Sequence, residues 1–218
     1  DRPRGDKWLI LISFVIGLSF GVHFMGLLAI PAVGLLYYFK KYNFNLKSFL
    51  LANIISISIL LFIFKLLLPT TLSIFGYVEV FFVNEIGLPF NYGTIFSAIL
   101  LILTIYYLLN KSYKKNRYAL NTITLCITFI FIGFSSWLMI PIRSNANTVI
   151  NENAPSDARS LLAYYNLEQY PDTYLFRGPM YSDIYSGQDD DEPYKDDKPK
   201  YERDYKKNKY VIVNDWKK

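Results

Sequence analysis

Trp8-Leu-Ile-Leu-Ile-Ser-Phe-Val-Ile-Gly17-Leu-Ser-Phe-Gly21-Val-His23-Phe-Met-Gly26-Leu-Leu-Ala-Ile-Pro31-Ala-Val-Gly34-Leu-Leu-Tyr-Tyr-Phe39 carries no aspartate, glutamate, lysine or arginine. Wound as one helix it would be about 48 Å long. The hydrocarbon core of a bilayer is about 30 Å thick and needs about 20 apolar residues to cross. The stretch is therefore too long for a single span, and its glycines and Pro31 interrupt it. It reads as two short helices, residues 8–20 and 24–39, meeting at a turn near Gly21-Val-His23. Arg2, Arg4 and Lys7 precede it, and Lys40 and Lys41 follow it. Basic residues mark the cytoplasmic ends of membrane segments, so the chain goes out and comes back.

Working outward, three further apolar runs follow at 48–68, 93–110 and 118–141. The link 110–117 holds Lys111, Lys114, Lys115 and Arg117 and reads as cytoplasmic. The link 69–92 has no lysine or arginine, carries Glu79 and Glu85, and reads as external. Five crossings then leave everything after Pro141 outside. The whole-chain mean hydropathy of +0.19 and the 19% of charged residues average two unlike parts. Residues 1–141 are apolar with clustered charges, and 142–218 are polar and rich in Asp, Glu, Lys and Tyr. The expected fold is mainly α, a polytopic transmembrane helical domain followed by a small mixed α/β or partly disordered tail.

The net charge of +5 is no nucleic-acid signal, because the basic residues of the first part sit where topology requires them. The single cysteine, Cys126, lies within an apolar run, reads as a small hydrophobe and excludes an internal disulfide. The chain starts at Asp1 and ends on the strand-like Lys209-Tyr-Val-Ile-Val-Asn-Asp-Trp216 with no partner strand after it. It reads as the middle of a longer polypeptide.

The external link is too apolar to be a plain solvated loop. Phe75, Val78, Phe82 and Ile86 recur at helical spacing, which predicts an amphipathic interfacial helix over 73–87. In the tail, 141–147 reads as extended. A helix is expected from Ser156, its N-cap, to Gln169, with Leu161, Leu162 and Tyr165 as its apolar stripe. Leu175-Phe176 reads as a short strand, and 187–208 as a charged loop.

Ionisable groups at membrane depth are functional candidates. His23 stands at the turn of the first hairpin, either as a polar turn residue or as a contact for phosphate or hydroxyl. Without partner His, Cys or carboxylate at ligand spacing it does not suggest zinc. Arg143 follows Trp137-Leu-Met-Ile-Pro141 where a helix emerges. A guanidinium there either anchors to a headgroup or binds phosphate in bidentate fashion. Ser144, Asn145 and Asn147 add neutral hydrogen-bonding groups suited to sugar or peptide. Lys65 reads as a snorkelling side chain, or else as a partner for a lipid phosphate. Glu79 and Glu85 lie six apart and off a common face. The acids between Asp189 and Asp197 lack the spacing of a calcium loop. No phosphate-binding loop, dinucleotide fingerprint or nucleophile–His–Asp set is present, and no metal or cofactor is expected.

The runs Asp6-Lys-Trp-Leu-Ile-Leu-Ile12, Gly17-Leu-Ser-Phe-Gly-Val-His23 and Leu27-Leu-Ala-Ile-Pro31 go together with Phe81-Phe-Val-Asn-Glu-Ile-Gly-Leu-Pro-Phe90. To these are added Ile142-Arg-Ser-Asn-Ala-Asn147, Asn151-Glu-Asn-Ala-Pro155 and Glu168-Gln-Tyr170. As a set they resemble the large Bacteroidetes membrane proteins related to vertebrate transmembrane protein 260, a protein O-mannosyltransferase. The resemblance implies a type C glycosyltransferase fold with its site at the outer face and a polyprenyl-phosphate sugar as donor substrate. It implies transfer of that sugar, mannose in the named relative, to Ser or Thr of an exported protein acceptor. It places the protein in a bacterial inner membrane, in contact with membrane lipid, with a periplasmic tail. The acidic base of such enzymes sits in a first outer loop that would precede Asp1, so no residue here is named catalytic. His23, Arg143, Ser144 and Asn145 are the expected donor-phosphate or substrate contacts. The alternative is a non-catalytic membrane scaffold or export component whose tail binds periplasmic partners.

Overall fold

A computed structural model describes residues 6–146, 148–170 and 198–213. Helix α1 (Asp6–Val22) stops at His23, a 3-10 turn (Phe24–Leu28) follows, and α2 (Ala29–Lys41) continues from it. The expected break is therefore present, but the two helices do not pair along their length. α1 packs on α6 (Tyr118–Phe134), whereas α2 packs on α3 (Leu46–Leu61). Small residues explain both choices. A methyl group on Gly17 would collide with the carbonyl oxygen of Ile130, and one on Gly133 would meet the backbone of Phe14, Gly17 and Leu18. Gly21 rests on Ser136 and Trp137 in the same way. Backbones that close gain dispersion contacts that lipid cannot replace. Because contacts advance in the same direction along both helices, α1 and α6 run parallel. Gly34 on α2 meets Ser56 on α3, and the Tyr38 hydroxyl reaches Ser48 Oγ at 2.6 Å, so that pair is antiparallel.

The expected separate interfacial helix over 73–87 is instead joined to the helix before it. α3 runs into a π segment (Phe62–Leu67) and on into α4 (Leu68–Asn84), one helix of 39 residues. Pro69 stands where the link after the expected span 48–68 should begin, but the π segment accommodates it. Leu68 N–H donates to the Ile63 carbonyl, five residues back, and this widened turn relieves the clash that a proline ring makes with a preceding carbonyl. The helix ends at Asn84, before Gly87, whose φ of 81° suits glycine. α5 (Tyr92–Lys114) returns beside α4. α6 then continues through a 3-10 turn (Ser135–Leu138) into α7 (Met139–Ser144), so residues 141–144 are helical where an extended segment was expected.

Leu46–Asn84, Tyr92–Lys114 and Tyr118–Ser144 are each long and apolar enough to cross a membrane. Their outward faces, with Ile54 on α3 and Ile102 and Tyr106 on α5, are exposed and apolar, as lipid contact demands. This is the architecture of a membrane-embedded protein. Among the described residues three helices reach crossing length; α1 with 17 residues and α2 with 13 are shorter than a full span, so length does not confirm the five crossings expected.

The buried core gathers at one end of the bundle. Phe20, Phe134 and Trp137 pack ring to ring at 5.2–5.7 Å, with Leu27, Ile63 and Leu72 around them. The tail closes over this cluster through α8 (Ala158–Tyr165), whose Leu162 lies against Gly76 of α4 and whose Tyr165 ring lies 5.7 Å from Trp137. α8 is shorter than the helix expected over 156–169. Its N-cap is Asp157, not Ser156: Asp157 Oδ1 accepts from Ser160 N, and Ser160 Oγ accepts from Asp157 N. The strand-like run after Lys209 does have a partner, which precedes it. β1 (Lys200–Asp204) pairs antiparallel with β2 (Lys209–Val213), within a stretch expected to be a loop. The strand expected at Leu175-Phe176 and the acidic cluster 189–197 lie outside the described residues.

Candidate functional site

His23 and Arg143 emerge at the same end of the bundle, since α1 and the 118–144 helix run parallel and Gly21 abuts Ser136. Their roles differ. His23 is exposed and extended (φ −159°, ψ 130°), and its Nδ1 accepts from Met25 N–H at 3.1 Å, capping the 3-10 turn. One ring nitrogen therefore serves the fold. Arg143, in the last turn of α7, is exposed, and its side chain makes no hydrogen bond or ion pair with another described residue, so its guanidinium is available.

Ser144 and Asn145 belong to the scaffold of that turn. Asn145 Nδ2 donates to Pro141 O and to Ser156 O, each at 2.8 Å, tying the helix end to the tail. The Ser144 carbonyl accepts from Asn151 Nδ2 at 3.0 Å, while its hydroxyl is buried without a partner. Asn147 is outside the described residues. The structure thus gathers Arg143, Ser144 and Asn145 with the loop 151–156, and leaves His23 to the neighbouring turn. Lys65 is exposed with its Nζ 5.2 Å from the centre of the Phe64 ring and stands midway along the Leu46–Asn84 helix, and Glu85 is exposed.

Glu79 is the residue that sequence reasoning undervalued. It is 0% exposed. One carboxylate oxygen accepts from Asn91 N–H, and the other accepts from Thr94 N–H at 2.8 Å and Thr94 Oγ1 at 3.0 Å. Asn91 is the N-cap of α5 and Thr94 its third residue, so Glu79 supplies from α4 the acceptor that a cap side chain normally provides. The approach is close enough that Gly93 is needed: a side chain there would strike the Glu79 backbone. The available signal was an acid within an otherwise apolar run.

From Glu79 a polar chain leads into the tail. The Tyr210 hydroxyl donates to Glu79 Oε1 at 3.4 Å and accepts from Arg203 Nε at 3.1 Å. Arg203 also reaches Asp157 Oδ2 at 3.0 Å and Asn91 Oδ1 at 2.7 Å. Asn84 holds the Tyr210 backbone from both sides, accepting from N–H at 2.7 Å and donating to the carbonyl at 2.9 Å. Burial depresses the Arg203 pKa, but Asp157 beside it and the Tyr210 hydroxyl outweigh burial and hold it above its ordinary value. Burial pushes the Tyr210 phenol up, Asp157 adds to this, Arg203 opposes it, and Glu79 adds again.

The sign of the pH effect follows. A phenol whose folded pKa is above its ordinary 10.0 contributes stability that is fully present below pH 10 and is lost as pH rises from there through the folded value. Proteolysis at the turn between β1 and β2 should therefore increase above pH 10 in the wild type, with a flatter profile in Tyr210→Phe. Identical alkaline profiles would refute this role for the phenol.

No curated protein and no solved structure matches the chain. The family described as Protein O-mannosyl-transferase TMEM260 N-terminal domain matches residues 1–46, the segment that holds α1, His23 and α2. Through these residues the chain is similar to the TMEM260 N-terminal domain.

Proposed function

We propose that the protein serves as a membrane glycosyltransferase that moves a sugar, mannose by analogy with the matched family, from a polyprenyl phosphate to Ser or Thr of exported proteins. The observation that carries this reading is the match of residues 1–46 to an O-mannosyltransferase family, in a protein built of membrane-length helices. On this reading the bundle end with His23 and Arg143 faces the periplasm from a bacterial inner membrane, and the tail lies in the periplasm. The phosphate of a lipid-linked donor approaches along the lipid and needs positive charge as it leaves. Arg143 supplies it from an exposed guanidinium with no competing partner among the described residues. His23, whose Nδ1 is engaged, offers only Nε2. Asn145 and Ser144 act by holding the turn.

Transfer is measured in membranes containing the full-length polypeptide, with a labelled polyprenyl-phosphate sugar and a Ser/Thr peptide, since residues 1–218 alone, without the acidic base expected upstream, should be inactive. Arg143→Ala should weaken donor binding about tenfold or more, the loss expected for one charge-assisted contact to phosphate, and His23→Ala should weaken it less. Equal donor affinity in wild type and Arg143→Ala would remove Arg143 from the donor site. Absence of sugar transfer by membranes active with a control transferase would overturn the enzymatic reading.

A further inference from the structure

We propose that the cleft between α8 and the β1–β2 hairpin is a binding site for a neutral saccharide, separate from the turn that holds Arg143. The cleft encloses about 590 Å³, within the size range of small-molecule sites and large enough for a short oligosaccharide. Its floor is Arg159, only 5% exposed. The guanidinium lies 4.6 Å above the Tyr201 ring, and Nη2 donates to Glu168 Oε2 at 2.9 Å. Nε and Nη1 are buried without an acceptor among the described residues. Buried donors of a charged group are rarely left unfilled, and two on one side chain lining a cleft mark a place where a ligand supplies oxygen.

The charge pattern selects the ligand. Arg159 is paired with Glu168, Arg203 with Asp157 at 3.0 Å, and Lys200 with Glu202 at 2.6 Å. A phosphate or carboxylate would have to compete with these acids, whereas a hydroxyl or ring oxygen that enters as the groups covering Nε and Nη1 move aside can accept from them with the ion pairs intact. The remaining lining suits the same ligand: Asn153 and Gln169 offer amides, and Tyr201 and Tyr205 offer ring faces. Amides beside aromatic rings match the alternating polar and C–H surfaces of a sugar. The lip also connects to the turn described above, since Asn151 donates to the Ser144 carbonyl and Asn145 donates to that of Ser156.

The probe is mannotriose, added to the purified protein in nanodiscs and followed by saturation-transfer NMR. Inorganic phosphate and a Ser/Thr-rich heptapeptide are the competitors. Mannotriose should bind without displacement by either, and Arg159→Lys should weaken it about tenfold. Because Arg159 is buried, that variant could unfold. Gln169→Ala, at a lining position whose side chain makes no hydrogen bond with another described residue, keeps the test decisive and should also weaken binding without changing the melting temperature. No binding, binding unchanged in a folded variant, or displacement by phosphate or peptide overturns the proposal. The measurement contains no lipid donor and no transfer step, so it can fail while the transferase reading stands, and the reverse.

Discussion

Gly17→Leu is expected to abolish the folded bundle, lowering its stability by about 3 kcal/mol or more, whereas Ile102→Ala on the outward face of α5 should be nearly silent. The difference lies in what each side chain meets. Ile102 is exposed toward lipid, where shortening an aliphatic chain removes little packing within the protein. At Gly17 the first added carbon already falls on the Ile130 carbonyl, and Gly133 approaches α1 backbone from the other side. Neither obstacle is the flexible end of a side chain. Two backbones would have to separate along the whole contact, taking with them the Phe20, Phe134 and Trp137 cluster. The check is the thermal midpoint of detergent-solubilised protein, together with disulfide cross-linking of cysteines placed at Ser13 and Phe129 on the two helices. If Gly17→Leu melts like wild type and keeps its cross-linking, the parallel α1–α6 packing is wrong.

That pairing shows where the sequence was legible and where it was not. The break at His23 could be read because span length, glycine and flanking charge all act locally. Ser13, Gly17 and Gly21 recur every fourth residue, a small-residue stripe that favours close helix contact, yet the same glycines read only as interruptions. Nothing local says that their partner lies more than a hundred residues away. The boundary expected after residue 68 failed for a related reason: a proline inside a helix is normally a stop, and the π segment that absorbs Pro69 leaves no separate mark in composition. β1 was hidden among Lys, Glu, Arg and Asp, because its strand character comes from pairing with Lys209–Val213 and from Arg203 reaching across to Asp157. Of the candidate site, the position of Arg143 at a helix end could be read in advance. The division of labour around it could not, since the bonds of Asn145 and Ser144 run to Ser156 and Asn151.

The other large effect is expected at Glu79. The sequence placed it only off a common face with Glu85; in the structure, its side of α4 is covered by α5 and the hairpin. Glu79→Leu keeps a similar volume but removes every acceptor at the start of α5. The part-buried Asn91 and Thr94 amides and the buried Tyr210 hydroxyl then lose their acceptor, and Arg203 loses the carboxylate at the far end of its hydrogen-bond chain. Removing one member of a buried charged network costs about 3–5 kcal/mol, most of it from stranded partners. Glu79→Gln retains an oxygen acceptor and should cost less. The loss should fall on tail docking before the bundle itself, because the α1–α6 contact does not involve α4. Limited proteolysis separates the two: Glu79→Leu should speed cleavage at the turn between β1 and β2 while leaving α1–α6 cross-linking intact. A double-mutant cycle with Arg203→Ala adds a second reading. If the hydrogen-bond chain couples α4 to the tail, the double variant should cost less than the sum of the single ones. Strict additivity would mean that Glu79 acts only as the cap of α5 and that the hairpin is held by Asn84 and Asp157 alone.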